Sequence, residues 1–595
     1  MWRSTAVLAG TAVAVVTIAV VRATPSCTDC LMARYYLIAA DDWKATGEPS
    51  FPETGRLSAK QDFGLAFSGG GTRSATATLG QLRGLEQNGW LDSVRYMSAV
   101  SGGAWAAIPF TYGKQTTGDL LGSFELPQTL KRDAVVHTPN GALAQAVANS
   151  SLTAGSVREV VGILAKFYSD KHADDLLAHA VAVTKRLRRE PDRFNKTYAR
   201  LLGRVFIDPL IEPGADSPSS RLFSWDAASV AEIAGANPGR LGGFVLANRR
   251  RPFLIVGGTL VSARRDYSYP LLMPVEYTPL YVGLRQRFGG RFGGSYVWPW
   301  AYDATQVGTT TGDLVAVHYD SSRRFTLADV AASTGAAPQL FLILGESVPD
   351  RFKPTVQSFA QYFPAFRHFA VQPMNGNIAL TEEMPHADGG LEDNLGIMPL
   401  LARQVRNILV FVNTNTRYIE DNDDVQSLFF AVGPPGGSGD KTENKVFSDN
   451  LYGVLLRDLA DARDRKEPQV YCGQNWSVLP NSHYNIRGYD GLNICWFYNA
   501  AVPKWENQLP DEVKRIVKGG DKSKEGRNFD DFPWFSTFEQ NAPHVIQLSV
   551  AQVNLLANLT AWTVTNAETV RMIRSRVSVP LACPPSIQCT TETEN

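Results

Sequence analysis

The chain has 595 residues, with 58 basic and 58 acidic side chains. A formal net charge of zero removes any broad electrostatic pull toward nucleic acid or an anionic membrane. Hydrophobic content of 44% with 19% charged residues belongs to a globular protein, and the length exceeds one ordinary domain.

The first element is an apolar run from Thr5 to Val21, flanked by Arg3 and Arg22. As a helix it would span roughly 26 Å, short of a bilayer core of about 30 Å. Val21-Arg22-Ala23 offers a small-residue cleavage site. Residues 1–24 are therefore expected to be a signal peptide or a membrane anchor, and the chain beyond residue 24 to be exported. Six cysteines agree with export: Cys27, Cys30, Cys472, Cys495, Cys583 and Cys589. Disulfides are the favoured reading and their pairing is open. Zinc is the rival at Cys27-x-x-Cys30, but no downstream pair has the usual ligand spacing, so no metal is expected. Asn149, Asn195, Asn475 and Asn558 each begin an N-x-S/T pattern.

Phe63-Gly-Leu-Ala-Phe67 has strand length and runs into Ser68-Gly69-Gly70-Gly71-Thr72-Arg73 and a helix-like stretch. Glycines at a helix start let the backbone approach a ligand, and the first N–H groups lack intrahelical partners. That makes an anion site. Nucleotide phosphate is a poor fit, because no Gly-Lys-Ser/Thr follows and no glycine stands three residues after Gly71. Arg73 is the first cation after the turn, placed to hold a phosphate diester or to cap a carboxylate.

Tyr96-Met-Ser-Ala-Val100 repeats the pattern and runs into Ser101-Gly102-Gly103-Ala104-Trp105. A serine on a strand-to-helix elbow needs small neighbours two residues to either side. Here they are Ala99 and Gly103, so the usual G-x-S-x-G reads A-V-S-G-G. The competing reading is a tight turn with a structural serine.

Residues 125–245 read as mainly helical, with Val157 to Leu187 mixing apolar spacing and basic residues as a cap or plain insertion. Residues 250–350 return to strand-like runs such as Phe253-Leu-Ile-Val256. A tandem repeat, Arg287-Phe-Gly-Gly290 and Arg291-Phe-Gly-Gly294, precedes Trp298-Pro-Trp300. Two copies are too few for RNA binding. A glycine-bent loop near the site is preferred over interfacial lipid contact.

His386-Ala-Asp388-Gly389-Gly390 places an acid and two glycines before an apolar helix-like run that contains Asn394 and Pro399. Asn407-Ile-Leu-Val-Phe-Val412 is a buried-strand signal. His386 shares a strand face with Asp388 and is expected at the rim of the site or supporting it from behind; Glu392 and Asp393 are expected as helix N-terminal charges. Gly433 to Gly439 is the strongest loop signal, and residues 545–575 predict a final helix.

Together S-G-G-G-x-R, the serine elbow and D-G-G resemble the patatin-like superfamily. Pro274-Val-Glu-Tyr-Thr-Pro-Leu-Tyr-Val-Gly283 and the continuation through Asn394 and Pro399 resemble its cytosolic phospholipase A2 and fungal phospholipase B branch. The match runs from about residue 60 to about 415, with a weaker echo at Phe532-Pro-Trp-Phe-Ser-Thr537.

The resemblance implies an α/β fold, a three-layer central sheet with helices on both faces plus helical and loop insertions. It implies a Ser–Asp dyad with Ser101 as nucleophile and Asp388 as general base. Gly70 and Gly71 would supply the oxyanion donors, and Arg73 would bind substrate phosphate or steady the transition state. No cofactor is implied. The expected organisation is a lead-in at 25–60, a catalytic domain over 61–575 with a helical insertion at 125–245 and an elaboration at 416–545, and a tail at 576–595. The lead-in is too short for a C2 domain, so calcium-driven recruitment is not expected.

The expected activity is a phospholipase A2/B or lysophospholipase type of acyl hydrolase, with phospholipid or lysophospholipid at a membrane interface as partner and no nucleic acid. The alternatives are a transacylase or esterase using the same dyad, and a non-catalytic lipid-binding relative. The sequence leaves acyl position, headgroup and oligomeric state open.

Overall fold

The computed structural model describes residues 29–39, 41–149, 196–214, 217–262, 271–288, 292–339, 343, 357–371, 378–430, 441–519, 529–536 and 548–577. The expectations for residues 1–24, for Val157–Leu187, for Gly433–Gly439 and for the tail beyond 577 lie outside them, as do Cys27, Cys583, Cys589, Asn195 and Arg291.

In chain order the strands are β1 Leu31–Leu37, β2 Gln61–Phe67, β3 Val94–Val100, β4 Phe223–Ser224, β5 Val245–Leu246, β6 Phe253–Ser262, β7 Leu271–Tyr277 and β8 Val282–Phe288. They continue with β9 Phe292–Val297, β10 Gln306–Thr311, β11 Leu314–His318, β12 Ala365–Val371, β13 Ile378–Asp388, β14 Asn407–Val412, β15 Val470–Val478 and β16 Tyr489–Tyr498. All but β4 and β5 join one mixed sheet, so the architecture is α/β with helices on both faces of the sheet. Its centre is parallel, in the order β16-β14-β2-β3-β6. Of these, β14, β2, β3 and β6 hold the apolar runs seen in the sequence, buried on both faces as parallel strands must be. Phe411 of β14 stacks on Phe67 of β2 at 5.0 Å and tilts against Phe497 of β16 at 4.6 Å.

Beyond β6 the sheet turns antiparallel, through β7, β8, β9, β1, β11 and β10. The segment before residue 60 thus supplies a strand of its own, β1, seated between β9 and β11. Residues 416–545 likewise contribute β15 and β16, the latter parallel to β14. Of the Arg-Phe-Gly-Gly repeat, Arg287 and Phe288 end β8 and Phe292 to Gly294 open β9, which pairs with it, with Gly293 and Gly294 at φ +71° and +72°; residues 289–291 lie outside the described residues. Trp298 and Trp300, just after it, are buried. Within 250–350 the run Leu327–Thr334 is a helix, not a strand, opened by a Thr326/Asp329 capping box. The C-terminal stretch holds two helices, Val550–Thr565 and Ala567–Arg576.

Helix α1 (Gly71–Gln87) follows β2, and α2 (Ser101–Tyr112) follows β3. Along α1 the helix Val550–Thr565 comes so close that a Cβ on Gly80 or Gly84 would meet its backbone. Cys472 and Cys495, opposite each other on β15 and β16, form a disulfide. Cys30 is disulfide-bonded too, so it is not a zinc ligand. Among the described residues no acid, cysteine or histidine cluster could hold a metal, and no helix is long and apolar enough to cross a membrane.

Candidate active site

Strand β6 brings the serine and the aspartate together. Its first half pairs in parallel with β3, the last pair being Val100 with Gly257. Its next residues pair with β13, beginning with Asp388 against Gly258. β3 and β13 therefore approach each other head-on along one edge of β6, and their C-terminal ends meet there. Ser101 follows one end and Asp388 forms the other. The Ser101 Oγ donates to Asp388 Oδ2 at 2.9 Å.

Both carboxylate oxygens are placed. Oδ1 accepts the Gly390 N–H at 2.8 Å, which Gly389 and Gly390 permit by turning the chain at once into the short helix Gly390–Asp393. The Asp388 carbonyl accepts from Thr259 Oγ1 on β6. Ser101 has φ +49°, a left-handed conformation that costs a residue with a Cβ about 1–2 kcal/mol. Strain of this kind is characteristic of an elbow that exposes a nucleophile. Both residues are nearly buried, Ser101 at 5% and Asp388 at 8% exposure, so a polar pair here has little competing water.

The glycine turn packs against this elbow. A Cβ on Gly102 would lie 2.6 Å from the Gly71 carbonyl carbon and 2.7 Å from its nitrogen, and one on Gly69 would lie 3.2 Å from Ser101 Cβ. Gly103 faces Ser68, where a Cβ would come within 2.7 Å of the carbonyl oxygen. The A-V-S-G-G variant is thus accommodated: the two glycines after the serine are the ones that the packing requires. Gly70 caps and Gly71 opens the 17-residue helix α1, so its first amides sit at the positive end of the helix dipole beside Ser101. Asn394 ties the turns together: its carbonyl accepts the Gly69 N–H at 2.9 Å, and its amide donates to Asp424.

Arg73 has a different immediate task from the one expected. It is 4% exposed; its Nε donates to the Asn413 carbonyl at 3.0 Å and one terminal nitrogen to the Phe535 carbonyl at 2.6 Å. The other terminal nitrogen packs on Gly70, 2.5 Å from where a Cβ would be. Burial lowers its pKa to about 10. The guanidinium pins the start of α1 to Asn413, just past β14, and to the Phe532–Ser536 segment.

His386 is not at the rim. It is fully buried, and burial pushes its pKa down to about 3. Its Nδ1 faces the Met384 carbonyl at 3.0 Å and must carry the proton; Nε2, 2.8 Å from Tyr302, then accepts from that hydroxyl. With both nitrogens engaged elsewhere, this ring is a neutral core residue. Glu392 and Asp393 do fall in the short helix. Glu392 accepts from His483 at 2.6 Å and Tyr484 at 3.4 Å, while Asp393 accepts the Met398 N–H and burial raises its pKa to about 6. Of the sequons, Asn558 is buried, donating to Glu125 and accepting from Trp505, whereas Asn475 is exposed.

Several contributors left no motif. Asn413 receives and donates bonds among Ser68, Ser74, Thr78 and Gln81, fixing the glycine turn from below. Arg403 pairs with Glu53 and Glu276 in the interior behind the Asp388 loop, both at 2.8 Å. Glu276 lies in the Pro274–Gly283 segment, so that segment's acid is an ion-pair partner here. Thr334 contacts the elbow itself.

A serine hydroxyl bonded to a carboxylate, beside backbone amides at a helix start on an α/β sheet, brings together the groups that acyl transfer requires. The Patatin-like phospholipase family model matches residues 65–401, more than half of the chain, and the chain belongs to that family. No curated protein sequence matches it. Among solved structures it is similar to human GIVD cytosolic phospholipase A2, at 14% identity and a TM-score of 0.39, with 86% of this chain and 59% of that chain covered. The same human enzyme in complex with methyl gamma-linolenyl fluorophosphonate matches at 14% identity and a TM-score of 0.37, with 86% and 59% covered. With that inhibitor and terbium chloride the values are 13% and 0.37, with 91% and 65% covered. The chain spans about three fifths of the length of these relatives.

Proposed function

We propose that the protein is a lipid acyl hydrolase that cleaves fatty acyl esters of phospholipid or lysophospholipid through Ser101 and Asp388. The observation that carries this reading is the 2.9 Å hydrogen bond from Ser101 Oγ to Asp388 Oδ2. As Oγ attacks the ester carbonyl carbon, its proton passes to Asp388. The tetrahedral oxyanion forms against the Gly70 and Gly71 amides, each worth about 3–4 kcal/mol of barrier. Collapse breaks the ester C–O bond, and Asp388 returns the proton to the leaving alkoxide. Asp388 then takes a proton from water as it attacks the acyl-enzyme, and returns that proton to Ser101 Oγ as the C–Oγ bond breaks and the fatty acid leaves. A buried carboxylate suits this shuttle, because no histidine lies between it and the hydroxyl.

The substrate is met at a membrane interface, and the chain is exported by its first 24 residues. The Cys472–Cys495 disulfide supports an oxidising compartment.

The decisive experiment is labelling with a fluorophosphonate probe alongside turnover of a radiolabelled phospholipid. Wild type should label and release free fatty acid. Ser101→Ala should do neither, and Asp388→Asn should remain folded with turnover reduced by at least about 10³-fold. Turnover retained in either variant refutes the dyad. Acyl transfer to an added alcohol in preference to water would make the enzyme a transacylase.

A further inference from the structure

We propose that Thr334 is a positioning residue for the acyl-transfer step, the clasp that holds the nucleophile elbow and the aspartate turn in register; the inference rests on the Ser101–Asp388 reading. Its hydroxyl accepts the Ser101 N–H at 2.8 Å and donates to the Gly257 carbonyl at 2.6 Å. Its own carbonyl accepts the Gly389 N–H at 3.0 Å. One residue thus bonds the nucleophile, the strand on which the two halves of the site meet, and the residue after the base.

The chemistry of each contact is specific. Ser101 opens α2, so its N–H has no partner within that helix. Held at φ +49°, it needs an external acceptor to keep its direction, and the Thr334 hydroxyl supplies one. Thr334 closes the helix Leu327–Thr334, so its carbonyl has no intrahelical donor and can take the Gly389 N–H. A β-branched side chain has few χ1 choices, which holds the hydroxyl between its two partners.

The helix end that carries it is itself fixed. Trp105 Nε1 of α2 donates to Ala331 at 3.0 Å, and Tyr198 donates to Gly335 at 2.9 Å. Lys196 pairs with Asp329 of the capping box at 2.6 Å. Thr334 is fully buried and touches neither Ser101 Oγ nor the Asp388 carboxylate in any hydrogen bond; it acts through the backbones of Ser101, Gly257 and Gly389.

The test compares the full chain carrying Thr334→Val, Thr334→Ala and Thr334→Ser in steady-state turnover, fluorophosphonate labelling rate and thermal melting. A displacement of about 1 Å in a reacting group costs on the order of 10²-fold. Val and Ala should therefore lower kcat and the labelling rate together by about 10- to 100-fold, with KM within about twofold of wild type. Ser, which keeps both hydroxyl bonds, should restore both to within about fivefold. Folded Val or Ala protein with wild-type kcat overturns the inference, as does a Ser variant no better than Val. Should Val fail to fold, Ala decides. Ser101→Ala and Asp388→Asn run in parallel: if they are dead while Thr334→Val is fully active, the clasp fails and the dyad stands. If they retain turnover, the dyad itself fails.

Discussion

Gly102→Ala probes the contact between the two turns with a single methyl group. The added carbon would lie 2.6 Å from the Gly71 carbonyl carbon and 2.7 Å from the Gly71 nitrogen, and would overlap the carbonyl oxygen. Ordinary carbon contacts begin at about 3.5 Å, so the turns must separate by roughly 1 Å. An oxyanion donor works at about 2.7–3.1 Å from the developing charge. Withdrawing Gly71 by that distance removes one donor, worth about 2.7–4 kcal/mol, or about 10²- to 10³-fold in kcat. KM should change little, because the donor acts on the transition state more than on bound ester. The assay is turnover of a short-chain ester and of phospholipid vesicles, with melting followed by circular dichroism. Gly118→Ala is the control, since nothing lies within 4 Å of its Cβ position. A folded Gly102→Ala enzyme with kcat within about fivefold of wild type would refute the placement of the glycine turn at the reacting carbonyl.

Arg73→Met should lower stability by about 2–4 kcal/mol, because the Asn413 and Phe535 carbonyls lose a buried charged donor. It should reduce turnover of a neutral ester and of a phospholipid in equal proportion, whereas loss confined to the phospholipid would make Arg73 the phosphate receptor. His483→Gln should lose most stability at low pH. Burial opposes the charged ring, yet the Glu392 carboxylate outweighs it and raises the His483 pKa. A folded pKa above an unfolded value of about 6.5 means the contribution is full below that pH and fades as pH rises through the folded value. Melting at pH 6 and pH 9 checks this, and an equal gap between wild type and variant at both would reject a charged His483–Glu392 pair.

Local signals served the parallel half of the fold well. Asn407–Val412 is β14 to the residue, and the two strand-glycine-helix pieces are β2–α1 and β3–α2 because a two-face-buried strand must be an apolar run. The short-range features of the site were equally legible: a serine at a small-residue elbow and an acid before two glycines. What local patterns do not encode is β13 running antiparallel to reach Ser101, since Gly258 looks the same whichever strand it pairs with. Thr334 was invisible for a related reason. Its bonds go to backbone groups that every residue carries, so no side-chain pattern marks it; the Thr326-x-x-Asp329 capping box marked only the helix. Arg73 could not be assigned from sequence, because a guanidinium beside a glycine turn serves a substrate phosphate or two carbonyls equally well; its bonds to the Asn413 and Phe535 carbonyls are visible only in the fold. That the segments before 60 and after 416 join the sheet was not legible, because strand pairing depends on register, which composition does not carry.

The head-to-head arrival of two strands at Gly257 and Gly258 makes a single peptide unit the ruler of this site. Consecutive Cα atoms stand about 3.8 Å apart, and that fixed step, not the sequence separation of 287 between Ser101 and Asp388, sets the gap the proton crosses. Loops and whole subdomains between them are free to lengthen without moving either partner, while one residue inserted at that step would part them.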